Sequence, residues 1–191
     1  LWAGTGESRT RNSVSVGTGI YKSVDGGETW SYAGLGESER IGQIAIDPSN
    51  SNIVYVAALG TLWDDNTERG LFKTTDGGNT WKKILYVNLR TGCCDISLDP
   101  RDPNIIYAAM WEHRRLPWSF TSGGPGSGLY KSTDGGASFS ISPPSVMDVG
   151  NDRSSNVLIR VEAPQDTETG RYDFRIRWIS RGDGSQWNEE K

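Results

Sequence analysis

The chain has 191 residues and a net charge of −4, from 20 Lys and Arg against 24 Asp and Glu. That length suits one or two domains, the mild acidity without a basic run offers nucleic acid no footprint, and no apolar stretch is long enough to span a bilayer as a helix. Eight Trp and 24 Gly fit many short strands joined by tight turns, while two Cys and one His are too few for a metal site, and no cofactor is expected.

Leu1–Thr5 reads as a strand, and the polar stretch from Gly6 to Thr18 as a loop. The chain opens inside that strand, so the lack of a signal peptide says little about compartment. Gly19–Trp30 then carries an alternating apolar run into Asp25-Gly-Gly27, a turn that tolerates positive φ, with a new strand from Trp30. The same pattern returns at Gly70–Trp81 and Gly128–Phe139, the aspartates being 51 and 58 residues apart. Each copy is expected to be a hairpin whose hydroxyls and carboxylate bond the turn amides, with the aromatic buried beneath the turn.

A second motif starts at Ile41: alternating apolar residues, a turn at Asp47-Pro48, then Ile53-Val-Tyr55. It recurs from Cys93 through Asp99-Pro100 to Ile105-Ile-Tyr107. Joined to the hairpin, each period holds four short antiparallel strands, A to D, the content of a β-propeller blade. The first copy lacks strand A, the second spans about 41–86, and the third runs from about 93 to Ser142. The count falls short of a closed ring, so the expected partners include remaining blades or other copies of the chain. The adjacent Cys93 and Cys94 read as buried free thiols at a strand start, with a strained vicinal disulfide or reactive pair as the alternative.

Pro143-Pro144 breaks the pattern, and 143–155 reads as a linker between the 1–142 blades and a second unit, 156–191. There Asn156–Glu162 and Arg171–Ile179 alternate around a turn at Ala163–Gly170, a half-buried hairpin closer to part of a β-sandwich than to a blade. The fold class is therefore all-β: about three propeller blades in an incomplete ring, followed by an Ig-like β segment.

Ser23, Asp25, Gly27, Thr29 and Trp30, then Thr74, Asp76, Gly78, Thr80 and Trp81, then Ser132, Asp134, Gly136, Ser138 and Phe139 match the Asp-box, or bacterial neuraminidase repeat. With Asp-Pro turns before an Ile-Val-Tyr strand, the chain most resembles bacterial sortilin or VPS10-like propeller proteins, often labelled glycosyl-hydrolase-like. The resemblance implies that these fifteen residues are structural and remote from any active site, and that the protein is secreted, extracellular or periplasmic. The 163–178 hairpin is faintly similar to Ig-like modules of secreted bacterial enzymes.

In a four-stranded meander the A–B and C–D turns share one end, and the B–C and D–A connections the other. The longer B–C loops fall at Gly6–Thr18, Gly60–Arg69 and Glu112–Phe120, with Glu37, Glu39, Arg40 and Arg90 in the D–A turns. Trp63 and Trp118 for stacking, with Asp64, Asp65, Glu112, His113 and Arg114 for hydrogen bonding, make a candidate glycan or protein site. The same indoles and guanidiniums also suit mutual packing over a propeller channel, and Asp64-Asp65-Asn66 lacks the spacing of a calcium loop. His113, beside two arginines, reads as a hydrogen-bonding loop residue more than as a general base.

Two functions of different class follow. One is a secreted propeller module that binds glycan or protein through its B–C loops without catalysis in this stretch. The alternative is part of a glycoside hydrolase, sialidase- or xyloglucanase-like, whose acid and base come from loop carboxylates here and on other blades. Loop carboxylates all paired with arginines would favour the first, and two approaching across the channel the second. A sialidase would need an arginine cluster, and although Arg9, Arg69 and Arg114 could be forced into that role, no motif places them there.

Overall fold

The computed structural model describes residues 1–11 and 13–141. The expected linker and the 156–191 β segment lie outside the described residues. Among the described residues, twelve strands form three antiparallel sheets, with one short 3-10 turn at Gly36–Ser38. Blade 1 is β1 (Trp2–Gly4), β2 (Ile20–Lys22) and β3 (Ser31–Tyr32), without strand A. Blade 2 is β4 (Ile41–Ile46), β5 (Val54–Ala58), β6 (Gly70–Thr74) and β7 (Lys82–Leu85), paired in sequence order. Blade 3 is β8 (Thr91–Leu98), β9 (Ile106–Leu116), β11 (Gly128–Ser132) and β12 (Ser140–Ile141). β10 (Ser119–Ser122) folds back on the far end of β9, pairing Phe120 with Arg115.

The three Asp-Gly-Gly turns share one bonding pattern. Ser23, Thr74 and Ser132 Oγ each donate to the following aspartate at 2.7 Å and accept the N–H of Gly27, Gly78 and Gly136 at 2.8–2.9 Å. The other carboxylate oxygen takes the hydroxyl of Thr29, Thr80 or Ser138 at 2.5–2.6 Å. These bonds to the charged form hold Asp25, Asp76 and Asp134 well below the usual carboxylate range. In blades 2 and 3 the A–B turn sits beside this turn, since Gly77 and Gly135 N–H donate to Asn52 and Asn104 carbonyls at 3.0 Å. The two turn types thus share one end.

The aromatics after these turns pack differently from the sequence expectation. Trp81 leans on the preceding blade: its Nε1 donates to Ala33 O at 2.6 Å and its ring meets Trp2 edge-on at 6.0 Å. Phe139 likewise packs into the cluster formed with blade 2. Trp30, in the blade with no described predecessor, is 42% exposed. Burial of this aromatic is a property of neighbouring sheets and not of its own turn.

Sheet-to-sheet packing supplies the core in two clusters. Ile20, Ile41, Val54, Val56, Ala58 and Phe72 fill the space between blades 1 and 2. Tyr55, Leu71, Ile96, Ile106, Ala108 and Met110 lead the cluster between blades 2 and 3. Every second residue of β5 faces one neighbour and the rest the other, which is why the whole strand is buried. β4 and β8 each carry a bulge, at Ile41/Gln43 and Cys93/Asp95. Cys93 and Cys94 are free thiols, the first buried and the second half-buried at that bulge. Burial pushes the Cys93 thiol up, leaving a packing residue and not a nucleophile.

Candidate functional site

The opposite end of the blades gathers the B–C connections and the D–A turns. Asn66 N–H donates to Leu89 O at 3.1 Å, Asn66 Nδ2 to Glu37 O at 3.2 Å, and Gly17 N–H to Glu39 O at 2.7 Å, tying these segments together across blades. Blade 3 departs from expectation here. Glu112–Leu116, read from sequence as loop, continues β9 and returns as β10 through Pro117-Trp118. Arg115 N–H donates to Leu62 O at 3.1 Å, so this hairpin leans on the B–C loop of blade 2.

Beneath the loops lie two buried guanidiniums and one imidazole. Arg40, Arg69 and His113 are buried together, from the D–A turn, the end of the blade 2 loop and β9. His113 Nδ1–H donates to Trp111 O at 3.2 Å, so Nε2 accepts from Arg40 Nη2 at 2.5 Å and lies 3.4 Å from Arg69 Nη1. The Trp111 indole stacks on the imidazole at 4.4 Å. Burial first, then Arg40 and Arg69, push His113 down to about 3, so the ring is neutral and acts as an acceptor.

Most of the other guanidinium donors serve backbone carbonyls, while Arg40 Nη1 donates to Thr10 Oγ1 at 3.3 Å and Arg69 Nε is buried without a hydrogen-bond partner among the described residues. Arg40 donates to Gly60 O at 2.8 Å and Thr61 O at 3.4 Å. Arg69 donates to Arg90 O at 3.1 Å, Thr61 O at 2.5 Å and Asp64 O at 2.8 Å. A planar fork of five donors suits such divergent carbonyls. Burial lowers both arginines to about 10, still charged at neutral pH.

Above this floor, the structure brings most of the sequence candidates together. Asp65 accepts from Arg90 at 3.2 Å and from Arg114, which also reaches Asp64 at 3.3 Å. Glu112 Oε2 accepts Gly126 N–H at 2.8 Å. A cleft of about 310 Å³ is lined by Asp65, Tyr86, Asn88, Leu89, Arg90 and Glu112. Trp63 is 43% exposed and Trp118, at the hairpin tip, 81% exposed, so neither is a packing plug within the described residues. His113 is not in the cleft wall but in the floor. Arg69 is buried against carbonyls and cannot meet a substrate carboxylate, which removes it from any sialidase-type arginine cluster.

Tyr86, Asn88 and Leu89 carried no sequence signal beyond their nearness to Arg90. The burial of Arg40 and Arg69 had none either, since both stand in polar turns. On the other end of the blades, a second cleft of about 310 Å³ lies between adjacent turns, with Lys73, Trp81 and Asp134 in its wall. Among the described residues no three His, Cys, Asp or Glu side chains cluster as metal ligands. No helix among them is long and apolar enough to cross a membrane.

Four-stranded meanders packed face to face, with hydroxyl-bonded Asp-Gly-Gly turns at one end and long polar loops at the other, define a β-propeller segment. The sequence matches the family described as "Sortilin, neurotensin receptor 3" over residues 18–189, and the chain belongs to this Sortilin-Vps10 family. It is 32% identical over 131 residues to a xyloglucanase of Hypocrea jecorina, covering 60% of this chain and 14% of that protein. It is also 32% identical over 130 residues to an oligoxyloglucan-reducing end-specific xyloglucanase of Emericella nidulans, covering 61% and 14%. The chain thus spans about one seventh of the length of these curated relatives. Solved structures similar to it include an ancestral GH74 enzyme, at 26% identity and TM-score 0.49, covering 66% of this chain and 16% of that one. Another is the Niastella koreensis GH74 enzyme, at 19% identity and TM-score 0.32, covering 69% and 27%.

Proposed function

We propose that this chain is part of a glycoside hydrolase acting outside the cell on a xyloglucan-type β-glucan, and that its loop face binds the polysaccharide. The observation that carries the reading is the 32% identity to two xyloglucanases over 131 and 130 residues. The loop face supports it with exposed Trp63 and Trp118 for stacking on sugar rings and a cleft edged by Asp65, Arg90 and Glu112 for their hydroxyls. Asp64, Asp65 and Glu112 already accept hydrogen bonds from Arg114, Arg90 and a backbone amide, so they orient sugar hydroxyls here, and the acid and base lie at least partly on other blades.

That pairing also favours a second reading, a propeller module that binds glycan without cleaving it. Calorimetry with xyloglucan oligosaccharides, alongside reducing-end release from xyloglucan polymer, separates the two. Binding that weakens about tenfold in Trp118→Ala, a loss expected for one stacking aromatic, supports the loop-face site. Reducing-end release by the chain joined to its remaining blades selects hydrolysis, binding without release by that longer protein selects the module, and absence of both overturns the glycan reading.

A further inference from the structure

Arg69 stands just before Gly70, which opens the third strand of blade 2. In blades 1 and 3 the same place, before Gly19 and Gly128, holds Thr18 and Ser127, so the repeat itself needs no guanidinium there. The chain around Arg69 is nevertheless shaped to admit one. Gly60 has a φ of +73°, and a Cβ on it would overlap the Arg69 side chain, whose stem runs through a gap that only glycine leaves.

What this guanidinium holds belongs to two sides of one cleft. Its Nη2 donates to Thr61 O at 2.5 Å and Asp64 O at 2.8 Å, the carbonyls that flank Leu62-Trp63, while Nη1 donates to Arg90 O at 3.1 Å. Asp65 and Arg90, which pair at 3.2 Å and line the cleft, are thus fixed from beneath by one side chain. His113 completes the arrangement: its N–H also donates to Arg90 O at 3.1 Å, and its Nε2 lies 3.4 Å from Arg69 Nη1 while accepting from Arg40, which holds Gly60 O. A lysine would keep the charge but has no planar fork to span three carbonyls.

We infer that Arg69, held by His113, is a positioning residue for the loop-face site: it sets Trp63 and Asp65 against Arg90 without touching a ligand itself. The ligand class rests on the glycan reading, whereas the ordering of residues 60–69 rests on the hydrogen bonds alone.

The test uses the chain joined to its remaining blades, with hydrogen-exchange mass spectrometry of segment 60–69 and calorimetry with xyloglucan oligosaccharides. Arg69→Lys should exchange that segment about tenfold faster and bind about tenfold more weakly at a temperature where it is folded. Trp63→Ala should also weaken binding, and the double variant should lose less than the two single losses combined, because Arg69 acts through the placement of Trp63. Should Arg69→Lys fail to fold, His113→Leu carries the same test: it should loosen the segment, and His113→Gln, which keeps an acceptor, should return it to within about twofold of the parent. Unchanged exchange of 60–69 in folded Arg69→Lys or His113→Leu, losses of affinity that simply add, or no rescue by His113→Gln would overturn the positioning role. A parent that binds no xyloglucan oligosaccharide would sink the glycan reading instead, and the exchange of 60–69 would then decide alone whether Arg69 orders the segment.

Discussion

His113 shows what burial does to a titratable side chain in this molecule. Held neutral and pushed down to about 3, it cannot take the proton that the unfolded chain accepts near the ordinary histidine value of 6.5. Its stabilisation is complete above that value and drains away as pH falls toward 3, at about 1.4 kcal/mol per pH unit. Chemical denaturation between pH 7 and 4.5 should record this loss, and His113→Gln, which keeps an acceptor but does not titrate, should flatten the slope. The three turn aspartates add a loss of the same sign at lower pH, because they too are depressed. Glycine at 78 is constrained twice, by φ of +96° and by Trp2, whose ring an added Cβ would overlap. Gly78→Ala should therefore cost about 1–3 kcal/mol, read as a lowered denaturation midpoint.

At the level of strands and turns, the sequence was legible wherever the determinant is local. The Asp-Gly-Gly and Asp-Pro turns placed the strands of blades 2 and 3 and the missing strand of blade 1, because such turns are specified by a few adjacent residues. It failed where a second element decides. Glu112–Leu116 has the charge of a loop, yet it extends β9 because Leu62 and β10 accept its backbone bonds. Trp30 and Trp81 occupy equivalent places in the motif but differ in exposure because only one has a described neighbour. Lys73 is another such feature, set 5.2 Å above the Tyr55 ring and donating to Gly135 O of the next blade at 2.8 Å: Lys73→Met keeps the stem over Tyr55 but removes that bond. It should cost about 1 kcal/mol while leaving the circular dichroism spectrum unchanged. Trp118→Ala, at an 81% exposed hairpin tip, should leave stability within about 0.5 kcal/mol, so any fall in its glycan affinity is an effect on binding and not on folding.

Across the described blades, the two clusters share β5, whose alternate residues serve each one. Disturbing either cluster is thus felt in both. Leu71→Ala should cost about 2–5 kcal/mol, and tryptophan fluorescence and far-UV signals should still shift together. The candidate site was legible as a face, since meander topology fixes which connections meet, and Asp65, Arg114 and Glu112 do converge there. Its floor was not, because nothing in a polar turn marks Arg40 or Arg69 for burial. That floor makes the interior beneath the loops cationic in a chain whose overall balance is acidic, at −4. Asp65 already stabilises the charged form of Arg69 without touching it. The acidic rim is in that sense a fixed counter-ion cloud: neutralising it should be felt by a guanidinium below before it is felt by any ligand above.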